Sequence, residues 1–429
     1  MENRIKFLEE KLEKYEHPKN SNNSSVAPSK DENRLKNQSL REKSEKKVGG
    51  QTGHKGNTVE MTDHPDSIVE HKLIYCTECG KSLDQAYTFE GRRQVIDIPP
   101  IKSFTTEHRI YSCVCICGKL NCPNYPKEAS NNVSYGVNIE TLINYMSVRQ
   151  YMPVNRIREF FEQVCKLKIS EGTICNKLSL FAEKLRPVYN NILEKIKQST
   201  CVGVDETGCK INGVKHWAWI WQTTEASYIA ISENRGYKTI ERVIGNGLQN
   251  CILVHDCWKA QFMTLTKLHQ ICIAHILREL NYFIELEKEN WTTKFKNILQ
   301  RAIRLKNNID YTKKENYQAW ISRIKNQASR ILEKPPKSNN KEIQTFYKRM
   351  KKYQDYLFVF LDYKEVPYDN NGSERGIRNF KVKQKISTQF KTLNGAESFA
   401  ISRSIIDTAI KSKQNIFEYF HTLAVKVAE

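Results

Sequence analysis

The sequence predicts a multidomain α+β protein whose centre is an α/β core interrupted by a long helical insertion. Three observations predict it. The apolar period switches from three-four to two at residue 201, so a helical region gives way to strands. Two strand-like runs end on acids, Asp205 in CVGVDETG and Asp256 in ILVHDCW. More than a hundred residues, mostly of basic helical pattern, then separate Asp256 from a third conspicuous acid, Glu374 in DNNGSERGIRNFKVKQK.

In chain order, residues 1–16 place Ile5, Leu8, Leu12 and Tyr15 at three-four spacing, a coiled-coil seam of about two heptads. Residues 17–65 are rich in Asn, Ser, Lys and Gly and read as a flexible basic linker. Residues 66–128 form a small β-rich module, with strand-like runs RRQVIDIPP and TTEHRIYSCV between two cysteine knuckles. Residues 129–198 are helical by period: Pro153 separates the first two helices and Ser170 caps the third. There KISEGTICNKL resembles the turn and second helix of a helix-turn-helix, which enters a major groove; a plain helical bundle gives the same period.

From residue 199 to about 400 the core follows. CVGVDE, VKHWAWIWQT and SYIAIS are three consecutive strands, with Asn212-Gly213 as the turn between the first two. Trp217, Trp219 and Trp221 share one face of the second strand. A helix (GYKTIERVI), a buried strand (CILVHD) and QICIAHILREL, a strand entering a long helix, come next. Strand-strand-strand-helix-strand with acids at the ends of the first and fourth strands is the order of a ribonuclease-H-like fold. A basic helical insertion spans about 285–365, and a C-terminal helix occupies 401–429.

The three acids carry the chemistry. Two strand-end carboxylates and one helical carboxylate, Asp205, Asp256 and Glu374, can converge to hold two Mg²⁺ (or Mn²⁺) ions, a pair suited to breaking and making phosphodiesters. Glu206 and Asp369 are rivals for the first and third places; strand alternation, which points Asp205 to the same side as Gly203, favours Asp205. Cys272 and His275 share a three-residue spacing but lack two further ligands nearby except His269 and Cys257. They are assigned to bracing the floor of the site, with His275 available to a substrate phosphate.

Charge points to a polyanion. Lys plus Arg total 68 against 48 acids, a formal charge of +20. Residues 294–352 alone hold 17 Lys or Arg and 4 Asp or Glu. A phosphate backbone is the natural partner for charge so concentrated. Arg375, Arg378, Lys381, Lys383 and Lys385 follow Glu374 and are candidate DNA contacts.

Six of the 13 cysteines lie between Cys76 and Cys122, a clustering that favours metal over disulfides. Cys76 and Cys79 precede Gly80, and Cys115 and Cys117 precede Gly118; these four are the candidate ligands of a structural Zn²⁺, with Cys113 and Cys122 as alternates. The chain has no apolar run long enough for a membrane span, and its charged N-terminus is no signal peptide, so a cytoplasmic, nucleoid-associated protein is expected.

Taken together, KNSNNSSVAPSKD, GGQTGHKG, CTECG, CICG, SVRQYMPVNRIREFF, ISEGTICN, VDETG, HWAWIWQT, LVHDCW, CIAHILREL, NNGSERGIR, KVKQKISTQF and GAESFA resemble the bacterial insertion-sequence transposases of the family numbered sixty-six, over essentially the whole chain. The resemblance implies a DDE triad at Asp205, Asp256 and Glu374 and strand cleavage followed by transfer to target DNA. It also implies recognition of terminal inverted repeats, a homo-oligomer in the complex and accessory proteins from the same element. Two other readings compete: a DNA-binding regulator on an inactive ribonuclease-H-like fold, and a nuclease that cuts without joining.

Overall fold

The computed structural model describes residues 59–83, 87–287 and 290–426, with positions 4, 18–20, 23, 31 and 53 before them. The expected coiled coil at 1–16 and most of the linker lie outside the described residues. Two compact units result: residues 36–102, and residues 1–35 with 103–429.

In the smaller unit the described residues form one isolated bridge, Tyr75 to Ser82, around the first cysteine knuckle. The strand expected at RRQVIDIPP does not form. In the larger unit the run TTEHRIYSCV yields only β1 (Cys113–Val114), paired with β2 (Leu120–Asn121) around the second knuckle. Alternation suits a strand, but a strand also needs a backbone hydrogen-bonding neighbour, and among the described residues neither run has one beyond that two-residue ladder.

Four helices follow: α1 (Val137–Asn144), α2 (Val154–Gln163), α3 (Glu171–Lys184) and α4 (Arg186–Lys197). One π-helical turn, Tyr145–Arg149, extends α1. Ser170 caps α3 as the sequence suggests, its Oγ accepting from the Thr173 N–H at 3.0 Å. Ile143, Ile157, Phe161 and Ile174 make a small core between α1, α2 and α3. Phe181 and Ala182, later on α3, instead join the main core.

The sheet has five strands in the order β5-β4-β3-β6-β7: β3 (Cys201–Ile211), β4 (Val214–Gln222), β5 (Ser227–Ser232), β6 (Ile252–His255) and β7 (Leu268–Ile271). The first three are antiparallel; β6 and β7 add in parallel on the other side of β3. This mixed order matches the expected ribonuclease-H-like core. The Asn212-Gly213 turn has φ of 46° and 77°, the left-handed pair that a tight hairpin requires. Edge strand β5 is protected by side chains: Ser404 Oγ accepts from the Ile229 N–H, while Tyr189 and Arg242 donate to the Ile229 and Ile231 carbonyls.

Two cores flank the sheet. Helix α5 (Tyr237–Val243) and α4 share the first with the C-terminal helices α12 (Asn371–Ser387), α13 (Leu393–Lys411) and α14 (Ile416–Lys426), around Trp219 and Trp221. Helix α13 runs through residue 400, where the sequence suggested a boundary; Ser404 and Thr408 bind β5, so its second half belongs with the sheet. The second core belongs to the insertion: α7 (Ile273–Leu286), α8 (Asn290–Asn308), α9 (Gln318–Glu333), α10 (Lys341–Lys352) and α11 (Val359–Asp362). Strand β6 serves both, Leu253 facing the first core and Ile252 and Val254 the second. A short helix, α6 (Lys259–Phe262), follows β6.

Candidate active site

The parallel register pairs Cys201 with Ile252 and Gly203 with Val254. Continued by two residues, it sets Asp205 level with Asp256, just past the end of β6. Strand β3 itself runs on to Ile211 in its pairing with β4, so Asp205 lies within the strand and not at the strand end the sequence suggested. Helix α12 reaches this point because the strand opposite it is bare. A Cβ on Gly203 would fall 2.5 Å from Ser373 Oγ, and one on Gly376 would fall 2.5 Å from Ile220 Cδ1. Glycine at both positions lets the helix lie directly on β3 and β4, which carries Glu374 to the two aspartates.

Asn370 ties the elements together. Its side chain donates to the Val204 carbonyl (2.7 Å), its backbone N–H to Cys272 Sγ (3.2 Å), and its Oδ1 accepts from Ser373 (2.7 Å). Cys272 caps α7, so His275 stands in the first turn, with Nδ1 3.1 Å from Asp256 Oδ1 and Nε2 3.6 Å from Glu374 Oε1. Arg278, one turn on, lies 3.3 Å from the same Glu374 oxygen.

These carboxylates are partly buried and close enough to influence one another's charge. Burial, then the charges of Asp256, Glu206 and Glu374, hold the Asp205 carboxyl well above its ordinary range. Burial pushes Asp256 the same way, but His275 outweighs it and the net shift is downward. For His275, burial opposes the charge while Asp256 and Cys272 favour it, and the result is about 11. The His275 ring thus lies between two of the three acids.

The donor set fits a metal. Asp256 Oδ1 is buried and faces His275 Nδ1 at 3.1 Å without an aligned hydrogen bond, so the oxygen keeps lone pairs for a metal. Donor atoms of Asp256, Cys272 and His275 also lie within 4.8 Å of one another. The third partner for the Cys272–His275 pair is therefore Asp256, rather than His269 or Cys257.

The family model described as "Transposase IS66 family" matches residues 132–398, from the helical region through all three acids. The chain belongs to the IS66 family of transposases. No curated protein matched it.

For an IS66 transposase the rival acids are already engaged. Both oxygens of Glu206 are held, by Arg235 at 2.6 Å and Gln261 at 2.9 Å, and Asp369 accepts from the backbone and side chain of Asn371. The basic residues of α12 divide by face. Arg375, Arg378 and Lys385 are exposed. Lys381 is half-buried and donates to the Gly208 carbonyl. Lys383 corrects the sequence reading: it is 8 % exposed and donates to the Ser147 and Met152 carbonyls, so it joins α12 to the π-helical turn instead of meeting a phosphate. Along the insertion Lys294, Arg301, Arg304, Arg323, Arg330 and Lys348 are exposed, in keeping with a DNA-facing surface.

Cys76 and Cys79 lie in the smaller unit and Cys115 and Cys117 in the larger, both outside the family match. The two knuckles are built alike. Gly80 and Gly118 have φ of 69° and 83°, and each donates its N–H to the carbonyl of the first cysteine, Cys76 (3.0 Å) or Cys115 (2.8 Å). In both, N–H groups of the following residues, the second cysteine's foremost, hold the first thiol below its ordinary range. Such a thiol is primed for metal.

Among residues the sequence left without a role are Arg278, on CIAHILREL one turn beyond His275, and Asn370 as a three-way tie. The period of α7 alone would have placed Arg278 beside His275.

Proposed function

We propose that this transposase binds the inverted repeats at the ends of its insertion sequence and catalyses metal-dependent strand cleavage and strand transfer. The supporting observation is the approach of Asp205 from within β3, Asp256 from just past β6 and Glu374 from α12, around a buried Asp256 oxygen that makes no aligned hydrogen bond. Two divalent cations, Mg²⁺ or Mn²⁺, held by these acids would stabilise charge on the attacking and leaving oxygens. In cleavage, a water oxygen bonds to phosphorus and the 3′ oxygen leaves as a hydroxyl. In transfer, that hydroxyl takes the water's place on target DNA. His275 keeps Asp256 ionised, Arg278 aims Glu374, and Asn370 fixes the distance between β3 and α7. Arg375, Arg378 and Lys385 would neutralise flanking phosphates, and the thiolates of Cys76 and Cys79 and of Cys115 and Cys117 would be ligands for structural Zn²⁺.

The test is Mg²⁺-dependent cutting and joining of duplexes bearing the element's ends by the full chain. Wild-type protein should yield both products. Asp205→Ala should reduce both below detection while DNA binding persists. Retained cutting by that variant overturns the triad; cutting without joining favours a nuclease, and binding without either favours a regulator.

A further inference from the structure

Beside the acids the structure holds a constellation that the triad does not use. Cys257 is left-handed, with φ of 61°, and this turn brings Trp258 to the surface two residues after Asp256. Its side chain is 40 % exposed. The Arg235 guanidinium lies 4.1 Å from the Trp258 ring centroid and 5.1 Å from that of Trp217. Lys215 Nζ stands 4.7 Å from the Trp217 ring. Aromatic and cationic groups therefore alternate from the catalytic end of the sheet out along the β3–β4 hairpin.

The ladder is rigid where it must be. Arg235 Nε donates to Glu206 Oε1, and the Glu206 side chain is only 3 % exposed, fixed on its other oxygen by Gln261. Glu206 neighbours Asp205 in β3, so the anchor of the ladder is one residue from the triad. An exposed indole stacked on a clamped guanidinium offers a flat, positively charged face. Unpaired nucleobases bind such faces regardless of sequence, with their phosphates close to a cation. Bases inside a duplex cannot reach them, because their faces are already stacked on one another.

We propose that the Trp258–Arg235–Trp217 ladder receives unpaired bases of the DNA strand beside the scissile phosphate, with Lys215 against the adjoining backbone. The proposal rests on the transposase reading above and adds to it a single-stranded substrate at the moment of reaction. Local unpairing would free the scissile phosphate from duplex geometry, and stacking on Trp258 would offset its cost.

The test separates the two levels. Full-length protein carrying Asp205→Asn is bound, uncut, to end duplexes with 2-aminopurine placed in turn at each nucleotide flanking the cut. One position should change its emission on binding. Adding Trp258→Ala should abolish that change, and Trp258→Phe should restore it. In the otherwise wild-type chain, Trp258→Ala should slow cutting of paired ends roughly ten-fold or more, the worth of one stacked base. Lys215→Ala, at the exposed end of the ladder, should weaken binding of single-stranded oligonucleotide and guards against a folding defect at Trp258. If wild-type protein cuts and joins but Trp258→Ala leaves both emission and rate unchanged, the ladder is overturned and the transposase reading stands. If wild-type protein neither binds nor cuts the ends, the reading beneath the ladder falls with it.

Discussion

The stretch from residue 59 to 133 and the body beyond residue 137 use similar apolar residues in opposite ways. In the stretch Ile68, Val95, Phe104 and Ile116 are exposed, and no described residue there joins a hydrophobic cluster. In the body, Trp219, Phe295 and Phe360 are fully buried, and the cores tolerate enclosed charges as well: Lys383, and Arg403 paired with Asp407 at 2.5 Å. The difference lies in what can hold each region together. Two sheet-flanking cores supply enough burial to offset several ionisable groups held out of water. The stretch has no such reserve, so its order rests on turns, and its two matching cysteine knuckles are where a metal would act.

The largest expected effect breaks that contrast from the weaker side. Removing zinc with a chelator, or replacing Cys76 by Ser, should leave the stretch open to protease while the body keeps its melting temperature. Structural zinc sites contribute on the order of 10 kcal/mol to their own folding, far more than the turns here can replace. Limited proteolysis with mass mapping, run beside calorimetry, reads both regions at once. Unchanged cleavage between residues 59 and 133 after metal removal would show that the knuckles hold no structural metal.

A second experiment works from the body. The folded Asp205 carboxyl is raised by burial and by its acidic neighbours. An acid raised on folding favours the protonated native state, so its ionisation lowers stability as pH climbs from the unfolded value toward the folded one. Metal-free Asp205→Asn should therefore melt several degrees above the wild type at pH 7. Added Mg²⁺ should raise the wild type and leave the variant almost unmoved. A variant that melts lower than the wild type without metal would mean that the acids do not repel one another.

Much of this was legible in the sequence wherever a signal was local. The Asn212-Gly213 turn, the Ser170 cap and the places of Asp205 and Asp256 in their strand-like runs each follow from neighbours a few residues apart. Pairing was not legible. RRQVIDIPP alternates like a strand, yet among the described residues Thr62 and Asp63 meet it only through the Gln94 and Arg92 side chains, and no backbone ladder forms. Gly203 and Gly376 look like ordinary glycines until a helix lies on a strand, and Arg235 and Trp258 are 23 residues apart in a chain that gives no hint of their stacking. Lys383 was misread for a different reason. Ser373, Ile377 and Phe380 mark the inward face of α12, and three residues after Phe380 the same face returns. A run of basic residues masked that spacing.

That misreading gives the smallest and most discriminating prediction. Burial lowers the Lys383 ammonium to about 8 from the ordinary 10.5. A base lowered on folding favours the neutral native state, so the protein gains stability as pH rises from about 8 toward 10.5. Lys383→Met should remove this alkaline gain while leaving affinity for DNA unchanged. Lys385→Ala, on the exposed face, should do the reverse: no change in the pH dependence of melting, weaker binding, and a salt slope shallower by about one ion. Melting curves across that pH range and binding isotherms at several salt concentrations suffice. If Lys383→Met weakens DNA binding as much as Lys385→Ala does, then α12 turns both faces toward DNA and the body does not enclose this charge.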